Sequence, residues 1–151
     1  MPEENLHITV KFLGEVRDEQ LSKLQASLSA IPPVALRLRS ERVGFFPPRG
    51  GPRVFVVHLT GDAERLVTLH QSVEAAMEPL GFPRENRSFK PHVTLARARA
   101  RFGAPASIKP PILANPELPG ELFTVEALTL FRSDLRREGA VYSAVERFAL
   151  T

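Results

Sequence analysis

The chain has 151 residues, 43% of them hydrophobic, which is enough apolar mass for one domain to bury a core without covalent staples. It contains no cysteine, and this excludes a disulfide framework, a thiolate zinc site and a thiol nucleophile. The 20 lysines and arginines outweigh the 17 acidic residues by a net charge of +3, a mild excess that identifies no partner by itself.

Nothing in the sequence resembles a targeting or membrane-spanning segment. The longest apolar runs fall far below the roughly 20 residues that a bilayer requires. The first residues also lack the basic flank and apolar stretch of a signal peptide. We therefore expect a soluble protein that stays in the cytoplasm.

The first predicted element is a half-buried strand over residues 6–13. Apolar and polar side chains alternate strictly along it, so that His7, Thr9 and Lys11 share one polar face. The rest of the chain predicts two helices and about five more strands, joined mostly by hairpin-scale connections. The helices are expected at 18–31 and 62–80, the strands at 34–38, 53–59, 92–98, 122–131 and 141–148, and a turn-rich loop at 44–52. We interpret the fold as α+β with mostly antiparallel sheets.

The pattern His-x-Thr occurs at residues 7–9, 58–60 and 92–94. In the first and third copies an apolar residue follows the threonine, so the strand continues and presents both polar side chains on one face. In the second copy the strand ends after the threonine and looks buried on both sides. We therefore interpret His58 as structural, and likewise His70, which borders the apolar stripe of the second helix.

A lysine accompanies each of the two exposed copies. Lys11 shares a face with the first motif and Lys90 with the third, so each strand offers an imidazole, a hydroxyl and an ammonium group. Two imidazoles with pKa values near about 6.5 can supply one proton donor and one acceptor at neutral pH. Threonine hydroxyls can donate to phosphate oxygens. The pattern favours phosphate chemistry; the alternative is two ordinary strands whose polar side chains face solvent.

Two further interpretations concern metal and charge. A metal site is disfavoured because no His-x-His, no His-x-x-x-His and no helical glutamate partner is present. Residues 84–101 carry six basic side chains against Glu85 alone, which suits an anionic ligand or forms a solvated basic face.

Together with their flanks, these motifs resemble the two-histidine phosphoesterases. The resemblance is to the bacterial and archaeal RNA 2′,3′-cyclic phosphodiesterases once named 2′-5′ RNA ligases, the LigT-like proteins. The matching segments follow the family's order across nearly the whole chain and lie at 4–16, 52–57, 89–97, 130–135 and 141–150. The paired His-x-Thr motifs with their flanks are specific in combination.

The resemblance implies a bilobal fold in which two pseudosymmetric antiparallel sheets, with helices outside, surround a central cleft lined by both motifs. It also implies hydrolysis of RNA 2′,3′-cyclic phosphate ends to 2′-phosphate ends, with RNA as the partner and no metal or cofactor. His7 resembles the proton donor to the departing 3′ oxygen, and His92 the acceptor that activates water. The resemblance assigns substrate contacts to Thr9, Thr94, Lys90, Arg53, Arg97, Ser133 and Tyr142.

One departure from the family pattern concerns the start of the chain. Family members usually have a strand and a helix before the first motif, whereas only six residues precede His7 here. We therefore expect residues 1–151 to form a single two-lobed domain that lacks these elements, with an open sheet edge as the consequence.

Other functions compete with this interpretation. A relative could act on another phosphodiester, such as a 2′-5′-linked oligoadenylate or a cyclic phosphate of ADP-ribose. The reverse reaction, 2′-5′ ligation of RNA ends, is possible in principle. A non-catalytic RNA-binding module is the third alternative, although binding alone requires only charge and not two pairs of histidine and threonine.

Overall fold

The computed structural model describes residues 5–46, 54–97, 117–137 and 139–151. Its helices and strands, in chain order, are α1 (Asp18–Ser29), β1 (Leu36–Phe46), β2 (Val54–Gly61), α2 (Ala63–Met77), a 3₁₀ turn (Glu78–Leu80), β3 (His92–Arg97), β4 (Leu122–Val125), β5 (Ala127–Arg136) and β6 (Gly139–Ala149). None of the described helices is long and apolar enough to cross a membrane. The α+β class and the antiparallel pairing predicted from the sequence are confirmed.

Two compact units make up the chain. The first contains Met1–Thr9, Arg37–Ala63 and Lys90–Phe123, and the second contains Val10–Leu36, Glu64–Phe89 and Thr124–Thr151. The boundaries fall directly after the first His-x-Thr motif and two residues before the third. Both motifs therefore belong to the first unit.

The first unit is built on a four-stranded sheet with the order β3-β2-β1-β4. β2 pairs antiparallel with both β1 and β3. Along β1 the side chains alternate between buried Leu38 and Val43 on one face and exposed Arg39 and Arg42 on the other. One face of this sheet is therefore core, and the other carries polar and charged groups.

In the second unit, α1 and α2 pack with the two-stranded β5–β6 sheet. The buried centre consists of Leu24, Leu28, Val73, Met77 and Phe82, with partly buried Leu128, Leu130 and Phe148 of the hairpin against it. α1 ends at Ser29, two residues before its predicted end, with prolines shortly after it. The second predicted helix is α-helical to Met77 and continues as the 3₁₀ turn to its predicted end, where Gly81 adopts a left-handed conformation with φ of 94°.

The regular strand predicted over residues 6–13 is wrong. In this segment Ile8 alone pairs, through one antiparallel bridge to Val93. Beyond Thr9 the chain enters the second unit, where Val10 and Leu13 pack against the helical core, while Phe12 is left 66% exposed. Packing against the helices therefore replaces the alternation of a strand.

Two other predicted boundaries also shift. β1 continues to Phe46, into the turn-rich stretch that the sequence predicts as loop, because Phe45 and Phe46 pair with β2; the remainder of that stretch lies outside the described residues. The single strand predicted over residues 122–131 is divided at Glu126 into β4 and β5, which belong to different sheets.

Lys11 is a further correction, because it does not share a polar face with His7 and Thr9. Its Nζ donates to Glu74 Oε2 at 2.8 Å and to the Pro83 carbonyl at 2.9 Å. The side chains of Lys11 and Glu74 are only 3% and 4% exposed, respectively. The Lys11 ammonium group thus forms a buried ion pair with the Glu74 carboxylate in the second unit. Its partner lies 63 residues away along the chain, which a local sequence pattern does not reveal.

Glu74 has two further neighbours. The same Oε2 accepts a hydrogen bond from the Glu85 backbone N–H at 3.3 Å, and Oε1 lies 3.4 Å from His70 Nε2. The His70 imidazole stacks on Phe89 with ring centroids 4.3 Å apart. The interpretation of His70 as a buried structural residue agrees with this packing, since it is 8% exposed.

We predict that Lys11→Met destabilises the protein by about 3–5 kcal/mol, because it leaves the Glu74 carboxylate buried without its cation. Urea unfolding measures the loss. Lys23→Met, on the exposed side of α1, is the control and should stay within about 0.5 kcal/mol of the parent. The double variant Lys11→Met/Glu74→Leu should recover much of the loss, since it removes both charges. A Lys11→Met protein as stable as the control would contradict the buried ion pair.

Candidate active site

His7 and His92 are held by the same local hydrogen bond. His7 Nδ1 lies 2.7 Å from the carbonyl oxygen of Asn5, and His92 Nδ1 lies 2.6 Å from the carbonyl oxygen of Lys90. A carbonyl only accepts, so Nδ1–H is the donor in both cases. The neutral form of each ring therefore carries its lone pair on Nε2. Each motif thus presents the same nitrogen for proton transfer.

The two motifs are brought together by the bridge between Ile8 and Val93. In an antiparallel pair, residues that flank a bridge lie opposite each other, and alternate residues share a face. The pairing therefore sets His7 opposite Thr94 and Thr9 opposite His92, all on the face away from Ile8 and Val93. Each imidazole is accompanied by the hydroxyl of the other motif.

His58 lies beside His92, a proximity that the sequence did not reveal. The two residues are Cα partners in the pairing of β2 with β3. Both rings make edge contacts with Phe46, whose centroid is 5.7 Å from that of His58 and 5.2 Å from that of His92. The His58 ring extends over Gly44 of β1, where a Cβ atom would collide with the imidazole.

The environment of His58 disfavours its protonation. Burial of the partly buried imidazole is the largest cause that lowers its pKa below the usual value of 6.5, followed by the electrostatic effects of Arg42 and of the neighbouring His92. Lys90 acts in the same direction and Glu41 against it. At a given pH the folded protein therefore holds more of His58 in the neutral form than a free imidazole would show.

The remaining predicted site residues of the first unit are placed as follows. The backbone carbonyl of Lys90 accepts the hydrogen bond from His92 Nδ1. The Lys90 side-chain Nζ lies 5.9 Å from the Phe46 ring centroid, in a cation–π contact. Arg97 ends β3 opposite Val54 and is exposed. Arg53 lies outside the described residues.

Ser133 and Tyr142 belong to the second unit. They are Cα partners across the β5–β6 hairpin, and the Tyr142 ring makes an edge contact with Phe131 at 6.0 Å. The hairpin therefore places these two residues directly opposite each other. Their part in substrate binding stays a prediction.

Sequence reasoning missed Phe46 and Arg42. Both lie on the same face of β1 as Gly44. The same face of the sheet carries His58 on β2 and His92 on β3. The signal was present in the alternation of residues 42–46, but a loop was predicted from Gly44 onwards. Within the described ranges, no three histidine or carboxylate side chains come close enough together to hold a metal ion.

Comparison with known proteins identifies the class. The family model of the 2′-5′ RNA ligase superfamily matches residues 1–137, and the chain belongs to this family. The chain is 36% identical to the RNA 2′,3′-cyclic phosphodiesterase of Thermus thermophilus, over 99% of the chain and 74% of that protein. It is 33% identical to the enzyme of the same name from Aeropyrum pernix, over 95% of the chain and 81% of that protein.

Solved structures agree with this assignment. A crystal structure of a protein from Thermus thermophilus matches with a TM-score of 0.82 and 34% identity, over 99% of this chain and 80% of that one. The structure of E. coli LigT complexed with 3′-AMP matches with a TM-score of 0.79 and 26% identity, over 98% of this chain and 78% of that one. The family resemblance drawn from the sequence is confirmed.

We predict that His58 titrates below pH 6.5 in the folded protein, as measured by NMR of its imidazole resonances. Because the folded pKa is depressed, His58 contributes stability that is present above pH 6.5 and is lost as the pH falls through the folded pKa. Arg42→Ala should move the midpoint part of the way back to 6.5, since burial remains. A midpoint at or above 6.5, or no response to Arg42→Ala, would contradict this picture.

Proposed function

We propose that this protein hydrolyses RNA 2′,3′-cyclic phosphate ends to 2′-phosphate ends, without a metal ion, and that His7 and His92 form its acid–base pair. The observation that carries the proposal is the matched geometry of the two motifs. Both histidines are fixed through Nδ1 to a carbonyl two residues earlier, and one antiparallel bridge sets them on a common face. The names of the Thermus and Aeropyrum relatives support a phosphodiesterase that acts on RNA 2′,3′-cyclic phosphates.

The proposed chemistry is an in-line displacement at phosphorus. His92 Nε2 takes a proton from a water molecule as the water oxygen bonds to phosphorus. The bond between phosphorus and the 3′ oxygen breaks, and the Nε2–H of protonated His7 supplies a proton to that oxygen. The product is a 2′-phosphate and a free 3′ hydroxyl, and the two histidines have exchanged protonation states.

Stabilisation of the phosphate falls to the threonines and the nearby cations. We assign Thr9 and Thr94 as donors to the equatorial oxygens, where negative charge accumulates in the transition state. Lys90 would add positive charge next to His92. We further propose substrate contacts for Arg53, Arg97, Ser133 and Tyr142, from the family positions they match.

The substrate range and the setting belong to the same proposal. E. coli LigT has been crystallised with ATP and with NADP⁺ as well as with 3′-AMP. LigT therefore binds nucleotides other than RNA ends, and the alternative substrates for this chain are a 2′-5′-linked oligoadenylate or a cyclic phosphate of ADP-ribose. Ring opening is reversible, so 2′-5′ ligation is a possible minor reaction, which excess water opposes. We place the activity in the cytoplasm.

We predict that His7→Ala and His92→Ala each lower kcat/KM for a nucleoside 2′,3′-cyclic phosphate by about 10²–10⁴-fold, the usual contribution of a general acid or base. The double variant should be little worse than the worse single variant, because the pair acts as a unit. His58→Ala is the matched control and should lose far less. Additive losses, or an equal loss at His58, would contradict the pairing.

The same variants can separate the acid from the base. A cyclic substrate with sulfur at the 3′ bridging position departs as a thiolate, which needs little protonation because thiols have pKa values near about 8.5. His7→Ala should therefore recover much of its lost rate on this substrate, relative to the parent on the same substrate. His92→Ala should stay slow, since water must still be deprotonated. Rescue of His92→Ala instead would reverse the two roles.

A further inference from the structure

Arg42, His58 and His92 form a row across three neighbouring strands. Arg42 is the Cα partner of His58 in the β1–β2 pair, and His58 is the Cα partner of His92 in the β2–β3 pair. Residues directly opposite in antiparallel strands point to the same face. Neighbouring strands lie about 4.8 Å apart, so the row extends about 5–10 Å from the proposed reaction centre.

The charges along the row are mixed. Arg42 and Lys90 disfavour protonation of His58 and Glu41 favours it, while Glu117 is the bridge partner of Arg42 on the side away from His58. The Arg42 side chain is 53% exposed, and the Glu41 carboxylate lies 3.8 Å from its Nε. Such a long, exposed contact is worth little, so the guanidinium can turn to an anion at small cost.

The position of His58 is also fixed by its surroundings. Gly44 leaves the space that its ring occupies, and the Phe46 ring contacts the imidazoles of both His58 and His92 edge-on. A neutral imidazole held in this way retains one N–H donor for a phosphate oxygen. The row therefore combines a fixed donor with an adjustable cation.

We propose that Arg42 and His58 form a second phosphate subsite, which binds the phosphodiester that links the terminal nucleotide to its 5′ neighbour. The substrate class is then an RNA chain that ends in a cyclic phosphate, in preference to a free nucleoside cyclic phosphate. This inference rests on the proposed function, because it takes His92 as the reaction centre. One nucleotide separates the two phosphates, a span that one or two strand spacings can match.

Three substrates test the subsite: a nucleoside 2′,3′-cyclic phosphate, a dinucleotide with the same cyclic end, and that dinucleotide with an uncharged methylphosphonate linkage. Arg42→Ala should lower kcat/KM about tenfold on the charged dinucleotide, the usual effect of one hydrogen bond to a charged group. The other two substrates should change less than about twofold. His58→Gln should be selective in the same sense, and Arg42→Lys should lose less than Arg42→Ala.

Salt dependence and a control variant complete the experiment. The slope of log kcat/KM against log salt on the charged dinucleotide should become shallower by about 0.7 in Arg42→Ala, because one phosphate contact is lost. Arg17→Ala removes another exposed arginine, paired with Glu19 at 3.1 Å, and should affect all three substrates equally.

Equal losses on all three substrates in Arg42→Ala, or no loss on the charged dinucleotide, would overturn the subsite. Absence of turnover by the parent on every substrate would instead count against the proposed function. In that case, the subsite is still tested by measuring the binding of a fluorescently labelled dinucleotide 2′-phosphate by fluorescence anisotropy. Weaker binding by Arg42→Ala, and not by Arg17→Ala, would support it; unchanged binding would overturn it.

Discussion

The antiparallel bridge between Ile8 and Val93 joins the amino-terminal segment to β3, and the candidate site depends on it. A shift of one residue would turn His7 and Thr9 to the opposite face from His92 and Thr94, because side chains alternate along extended backbone. The amino-terminal segment has no other strand pairing among the described residues, and after Thr9 the chain belongs to the second unit. A single pairing therefore determines whether the two histidines and the two threonines lie on one face.

Local hydrogen bonds then orient what the bridge brings together. Each carbonyl that accepts from Nδ1 comes from the residue two positions before its histidine, so the ring is held by its own segment. This leaves Nε2 as the nitrogen that is available for proton exchange in both motifs. β2 and β1 extend the same face beyond His92, first with His58 and then with Arg42, and this extension is the proposed second phosphate subsite.

The two motifs of the candidate site could be identified from local pattern, while their neighbourhood could not. The two exposed His-x-Thr motifs, both helices and the α+β class follow from periodicity, breakers and the family resemblance. Lys11 was misplaced because its partner Glu74 is remote in sequence, and burial of that ion pair overrides the alternation of residues 6–13. The contact of His58 with the site depends on strand register and on Gly44, which hydrophobic periodicity does not encode.

The central claim is that two histidines suffice to open a 2′,3′-cyclic phosphate on the 3′ side. The most direct measurement is incubation of the protein with a nucleoside 2′,3′-cyclic phosphate in EDTA, with the product isomer identified by ³¹P NMR. The account predicts continued turnover and the 2′-phosphate as the sole product, since acid, base and cations are all supplied by the chain. Loss of activity on chelation that a divalent ion restores, or accumulation of the 3′-phosphate, would contradict it.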